Sequence, residues 1–278
     1  FPKQKKINLR EMFREFVGGY VFQSKILKMY YEKPYGYPGD FYMFELIYNN
    51  KPFSSGIGYY FDVFCNKYSL TRSVVNRKDL IKAILIEELK STNSNNLKIC
   101  NVGCGACREL RELISEFYET LGDSMFYMMD QEKEALSFSE NKIKELNKSY
   151  SNVIFKHSDL INLVGLGKVR NNEFNFKFDL IYSLGLIDYF LDNVLLNFIN
   201  WSMNKIEDDG SLIIASCSTN DPYIYLPLRW FCEWNFYYRD AEKTKNLILQ
   251  NFPELNVSIL WEKYKHVFFL KISKSNEF

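Results

Sequence analysis

The chain has 278 residues, 47% of them hydrophobic, with 35 Lys and Arg against 34 Asp and Glu for a net charge of +1. That length suits one large α/β domain, or a core domain with a smaller appendage. The near-neutral balance gives no electrostatic case for a long duplex nucleic acid as partner, and no run of about 18 apolar residues suggests a membrane span.

The first ninety or so residues read as helical. Leu9, Met12, Phe13, Phe16, Val17 and Tyr20 recur at three and four, as one apolar helix face would. Asn8 is the expected cap, with Glu11 three residues on. Lys33 to Asp40 holds two prolines and two glycines, which forces turns. Further helices are expected over 41–49, 59–68 and 80–89. The polar stretch Ser91 to Asn96 reads as a linker, dividing a helical cap at 1–92 from a core at 97–278.

From Leu97 the rhythm becomes strand, helix, strand. Strands are expected at 97–102, 125–129, 153–156, 178–183 and 211–216, with helices at 108–121, 132–146 and 194–206 between them. A turn is expected at Asp208-Asp-Gly210. This alternation predicts a mostly parallel sheet with helices on both faces. Val257–Trp261 and Val267–Ile272 have only a short connection, which suits an antiparallel pair. The many Phe and Tyr residues read as core fillers.

Chemistry concentrates where the first strand ends, at Asn101-Val-Gly-Cys-Gly-Ala-Cys107. Glycine there opens backbone angles barred to other residues and lets a ligand approach the main chain. The helix that follows presents free N–H groups. Arg108 stands where a dinucleotide fingerprint needs its third glycine, and no P-loop sequence occurs. Cys104 and Cys107 form a C-x-x-C, yet no second pair exists and the chain has two histidines, so no metal is expected. The six cysteines are expected to be reduced, buried thiols of a cytoplasmic protein. The chain opens on Phe1, so the native start is expected upstream.

The loop resembles motif I of the class I S-adenosylmethionine-dependent methyltransferases, roughly acid-x-G-x-G-x-G, with Asn101 at the acid and Cys107 at the third glycine. Three later features extend the resemblance over about residues 97 to 273. Asp130 closes the second strand, 25 residues past Gly105. His157-Ser-Asp159-Leu160 ends the third. Ser183-Leu184-Gly185 ends the fourth. The resemblance implies a seven-stranded, mostly parallel Rossmann-like sheet with an antiparallel last strand and an N-terminal helical cap. It implies S-adenosylmethionine as cofactor, held by Gly103, Cys104, Gly105, Asp130 with its neighbour Gln131, Asp159, Leu160, Ser183, Leu184 and Gly185. Tyr37 and Asp40 would cover the cofactor, and Arg72 or Arg77 would pair with its carboxylate.

Pro34 to Asp40, Gly103 to Glu109, Ser183 to Tyr189 and Trp234 to Arg239 together look like one bacterial subfamily. Its members make hydroxy-fatty-acid methyl esters that act as extracellular signals. That implies a small-molecule carboxylate as acceptor, with Asp188 and Tyr189 lining its pocket and Arg239 orienting it. Three alternatives stay open: N- or O-methylation of another small molecule or a protein, transfer of an aminopropyl group, and a non-catalytic interaction module. The oligomeric state is left open.

Overall fold

The structure is a computed structural model that describes residues 3–37, 39–91, 96–148, 150–159 and 174–275. It divides into two compact units, residues 1–75 with 221–236, and residues 76–220 with 237–278. The expected boundary at 92 to 97 is displaced, because one helix, α5 (Ser69–Ser91), runs unbroken from the first unit into the second. The segment after the fifth strand, residues 221–236, returns to the helical unit, and it is rich in aromatic side chains.

The helical unit contains α1 (Lys3–Val21), α2 (Lys25–Glu32), α3 (Phe41–Asn49), α4 (Gly56–Lys67), the first turns of α5, and α10 (Leu226–Phe231). Asn8 lies inside α1 and is not its cap. The stripe read as one apolar face splits in two. Phe13 packs on Trp230 and Phe231, with ring centroids 5.3 Å apart in each pair. Leu9, Met12, Phe16 and Tyr20 are exposed. Caps set the other helices. The Ser24 hydroxyl accepts from Leu27 N at 3.0 Å, and Asp40 Oδ1 accepts from Met43 N at 2.7 Å. Asp62 of α4 is fully buried and accepts from Ser24 Oγ and from the backbone N–H groups of Phe53 and Ser54, all within 2.8 Å. Those bonds hold its carboxyl below its ordinary range even though burial works the other way.

The second unit is an α/β layer structure. Its strands are β1 (Lys98–Val102), β2 (Met125–Asp130), β3 (Val153–His157), β4 (Phe178–Leu184), β5 (Ile206–Cys217), β6 (Leu255–Trp261) and β7 (Val267–Lys274). They form a seven-stranded sheet in the order β3-β2-β1-β4-β5-β7-β6. The strands from β3 to β5 pair in parallel, while β7 lies antiparallel between β5 and β6. Strand β1 is buried along four of its five residues, as expected where both faces of a parallel sheet are covered. The helices are α6 (Arg108–Glu116), α7 (Tyr118–Leu121), α8 (Lys133–Lys144), α9 (Asp192–Lys205) and α11 (Ala241–Asn251). Leu110, Leu113 and Ile114 of α6 are fully buried, as are Leu195, Phe198 and Ile199 of α9. Each such side chain contributes about 1.5–3 kcal/mol through burial.

Two expectations change here. The single helix expected over 108–121 breaks at Phe117, whose φ of −128° and ψ of 34° are not helical. The turn expected at Asp208-Asp-Gly210 lies within β5. Phe178 pairs with Ile206, but Leu180 already pairs with Ser211, so the polar residues are extra length that β5 takes up as a bulge.

Candidate functional site

The order of the strands locates the site. From β1 the chain moves outward through β2 and β3, then returns to place β4 on the other side of β1. Ligands bind beyond the carboxyl ends of strands at such a switch point. The segments there are the glycine loop after β1 and the Gly185 turn after β4.

The glycine loop is pinned on every side. Gly103 N and Cys104 N both donate to Met129 O, at 2.9 and 3.0 Å, which folds the loop across the end of β2. Asp130 Oδ2 accepts from Gly105 N at 2.8 Å, and its Oδ1 accepts from Glu132 N at 3.0 Å. Ser139 Oγ, buried on α8, donates to Gly105 O at 2.8 Å. The N–H and the carbonyl of Gly105 are thereby both held by side chains. Burial pushes the Asp130 carboxyl up, against the pull of the bonds from Glu132 and Gly105.

The two departures from the motif acquire physical reasons. Cys107 has φ 49° and ψ 39°, the left-handed conformation that glycine adopts without strain. The position retains glycine's geometry although the residue differs. Asn101 Nδ2 donates to Glu109 Oε1 at 2.8 Å, and the Tyr182 hydroxyl donates to the same oxygen at 2.9 Å. The buried acid is therefore present, but it comes from the first turn of α6 and not from β1. Burial raises the Glu109 carboxyl, opposed by the Tyr182 bond and by the positive charges of Arg111 and Arg77. Both C-x-x-C thiols are buried and unbridged, and burial holds the Cys104 thiol well above its usual range. Among the described residues, no three His, Cys, Asp or Glu side chains are grouped to hold a metal ion.

At the β4 turn, Ser183 Oγ donates to Val102 O at 2.7 Å, so this hydroxyl ties β4 to β1. Gly185 has φ 87°, and a Cβ there would lie 2.7 Å from Arg77 Nη1. The Arg77 guanidinium thus rests against the turn, and its charge reaches both Glu109 and Asp188. Arg72, the other cation considered for this role, is exposed and belongs to the helical unit.

The residues expected around the acceptor have other partners. Asp188 Oδ1 accepts from Ser216 Oγ at 2.7 Å and from Cys217 N at 2.9 Å, locking the β4 turn to the end of β5. Burial raises its carboxyl. Arg239 spends Nη1 on Asp192 Oδ1 and Nη2 on Phe190 O, each at 2.6 Å. It clamps the first turn of α9, where the acid also suits the helix dipole. Tyr189 is exposed. Gln131 and Asp159 are exposed at the ends of β2 and β3, and His157 Nε2 stands 3.0 Å from the Gln131 carbonyl oxygen. Leu184 is half-buried at the end of β4. Leu160 lies outside the described residues. Tyr37 is half-buried in the helical unit, where Asp40 caps α3 and is raised by burial.

Sequence reasoning missed Glu109, Ser139 and Tyr182. Glu109 did leave a signal, since it lies four residues before Leu113 on the flank of the apolar face of α6.

The chain matches a family model described as a methyltransferase domain over residues 93–270, more than half its length, and it belongs to that family. Among solved structures it resembles a possible exported protein from Bordetella parapertussis, at 14% identity and a TM-score of 0.69, covering 85% of this chain and 80% of that one. It also resembles magnesium protoporphyrin IX methyltransferase from Synechocystis PCC 6803 with bound SAH, at 12% identity and a TM-score of 0.54, covering 74% and 87%. No curated protein matches the chain. At these identities the likenesses establish the fold.

Proposed function

From its membership in the methyltransferase domain family, we propose that this enzyme uses S-adenosylmethionine to methylate a carboxylate oxygen of a small acidic molecule, such as a hydroxy fatty acid. The observation that carries the cofactor reading is the Gly105 clamp at the switch point between β1 and β4. Asp130, the acid of that clamp, ends β2, where an acid can accept from ribose hydroxyls. Gly103 and Gly105 let the cofactor lie close to the main chain, and Arg77 supplies the positive charge for its carboxylate. Asp159 and Leu160 would meet the adenine, with Leu184 and Gly185 toward the methionine end. The extension to Tyr37 and Asp40 rests on the sequence resemblance.

When bound, the cofactor supplies a methyl group activated by a sulfonium centre. A carboxylate oxygen is already a nucleophile at neutral pH, so the protein has only to orient it and exclude water. A hydroxyl or amine acceptor would need a general base. The nearest buried acid after β4, Asp188, is occupied by Ser216 and Cys217, which favours the acceptor that needs none. Arg239 is likewise committed, so it would act on the acceptor by holding Asp192 and the Phe190 carbonyl in place.

Two measurements test this reading. SAH should raise the melting temperature of the protein, since a ligand that binds the native state stabilises it. Asp130→Ala should weaken SAH binding about tenfold, the equivalent of roughly one charged hydrogen bond. No shift at millimolar SAH would overturn the cofactor assignment. Methyl-labelled cofactor with a panel of fatty acids, amino acids and phenols should yield a base-labile ester. Label confined to phenols, amines, protein or RNA would overturn the carboxylate acceptor.

A further inference from the structure

The helical unit gathers apolar side chains in two places outside its packed core. One is a cavity of about 410 Å³ among α2, α4, α5 and α10, walled almost wholly by apolar side chains. The other lies on the surface of α1. Leu9, Met12, Phe16 and Tyr20 recur at three and four along this helix, so they share one side of it, and all four are exposed. Phe16 is 85% exposed and Met12 62%, while Phe13, Val17 and Val21 anchor another side of α1 in the unit. The stripe is therefore not what holds α1 in place. Large apolar side chains kept together in water mark an interaction surface.

Charge indicates what that surface meets. Residues 1–33 hold eight Lys and Arg against three Asp and Glu, a net charge of +5 in a chain whose total is +1. The first turn of α1 contains Lys3, Lys5 and Lys6 and no acidic residue. Arg14 pairs with Glu233, and Lys28 with Glu32. That leaves Lys3, Lys5, Lys6, Arg10, Lys25 and Lys33 against Glu11 and Glu15. These two acids are exposed, but at about 3.6 residues per turn they stand a quarter turn or more around α1 from the middle of the stripe. Among the described residues, no helix is long and apolar enough to cross a bilayer. A helix with Phe, Met and Leu on one side and lysines at its end instead lies along the headgroup layer. A second copy of this chain would bring positive charge against positive charge. A nucleic acid would answer the charge and leave the stripe in water. An anionic bilayer answers both.

We propose that α1 docks the protein on an anionic phospholipid surface, with Leu9, Met12, Phe16 and Tyr20 entering the boundary between headgroups and acyl chains and the basic residues of 3–33 meeting the headgroups. This inference rests on the helical unit alone and does not depend on the methyl-transfer reading.

The test is co-sedimentation of the full chain with lipid vesicles. Phosphatidylcholine vesicles containing about one third phosphatidylglycerol should bind it at least tenfold more tightly than phosphatidylcholine alone, since each basic side chain near such a surface contributes a factor of about five. Raising the salt from about 0.1 M to 0.5 M should weaken that binding about tenfold. Phe16→Ser, and separately Lys5→Glu combined with Lys6→Glu, should each weaken it about tenfold with the unfolding transition unchanged. Phe16→Trp supplies a measurement that survives if either variant fails to fold. Its emission, taken as the difference from the parent protein, should move to shorter wavelength with anionic vesicles and stay put with phosphatidylcholine. Equal binding to the two kinds of vesicle, undiminished binding by folded Phe16→Ser, or an unmoved emission in Phe16→Trp would each overturn the proposal. So would a lipid-free dimer that Phe16→Ser dissolves, which would make the stripe an interface between copies, or tighter binding to single-stranded RNA than to vesicles.

Discussion

The strand ends of the α/β unit and the cavity of the helical unit differ in polarity, since the first gathers buried charged side chains and the second is walled almost wholly by apolar ones. At the strand ends Asp130, Glu109, Asp188 and Arg239 are all buried, and each already has partners within the protein. In the helical unit the cavity wall is almost wholly apolar, and among the described residues the Tyr30 hydroxyl beside it is buried without a hydrogen-bond partner. The first arrangement is preorganised. A ligand there exchanges one acceptor for another and inherits a fixed geometry. The second can select only through shape, because little in its wall is polar.

The largest expected effect tests whether the strand-end network is truly self-paired. Glu109→Ala removes the acceptor shared by Asn101 and Tyr182 and leaves both donors buried, which should cost about 3 kcal/mol in urea unfolding. A loss under about 1 kcal/mol would show that the network is not what holds the loop.

The next effect concerns the charges that fix α6 behind the loop. Glu112 accepts from Lys78 and Lys82 of α5 and from Arg108 of its own helix. Burial opposes its ionisation, but those bonds hold its carboxyl down to about 2, against an ordinary 4.5. A depressed carboxyl contributes stability above its unfolded value and loses it as pH falls toward the folded value. Glu112→Gln should therefore lower stability by about 2 kcal/mol at pH 7 and by almost nothing near pH 2. A deficit that persists at pH 2 would assign the effect to packing. Glu109, Asp130 and Asp188 carry the opposite sign. Burial raises each of them, so their ionisation weakens the fold as pH rises through their folded values.

A smaller effect belongs to the β4 turn. Gly185→Ala forces a side chain onto a left-handed backbone and displaces the Arg77 tip, at a cost of about 1–2 kcal/mol. SAH affinity should fall further than stability does, because Arg77 leaves its place. Equal losses would remove Arg77 from the cofactor site.

The strands of the α/β unit were legible because parallel strands buried on both faces read as short apolar runs between amphipathic helices. Strand β2 was read at 125–129 and spans Met125–Asp130, and α3 was read at its observed bounds. The loop's glycines and Asp130 were legible by order and spacing. The bulge in β5 was not, since Asp-Asp-Gly carries the same local preference for a turn whether or not a neighbouring strand captures it. Nor were the roles of Arg239 and Asp188, which looked available because their partners Asp192, Phe190, Ser216 and Cys217 are far away in sequence.

By itself, the sequence determined the kind of fold and the place of the glycine loop after β1, because periodicity and glycine placement are local properties of the chain. Only the tertiary structure decided which acid backs the loop, which arginine rests against the β4 turn, and where the unit boundary falls. Those outcomes depend on side chains that meet across long stretches of sequence. The glycine loop was readable from the chain; the Glu109 that accepts from Asn101 and Tyr182 behind it, and the apolar cavity of the helical unit, appear only when helices pack.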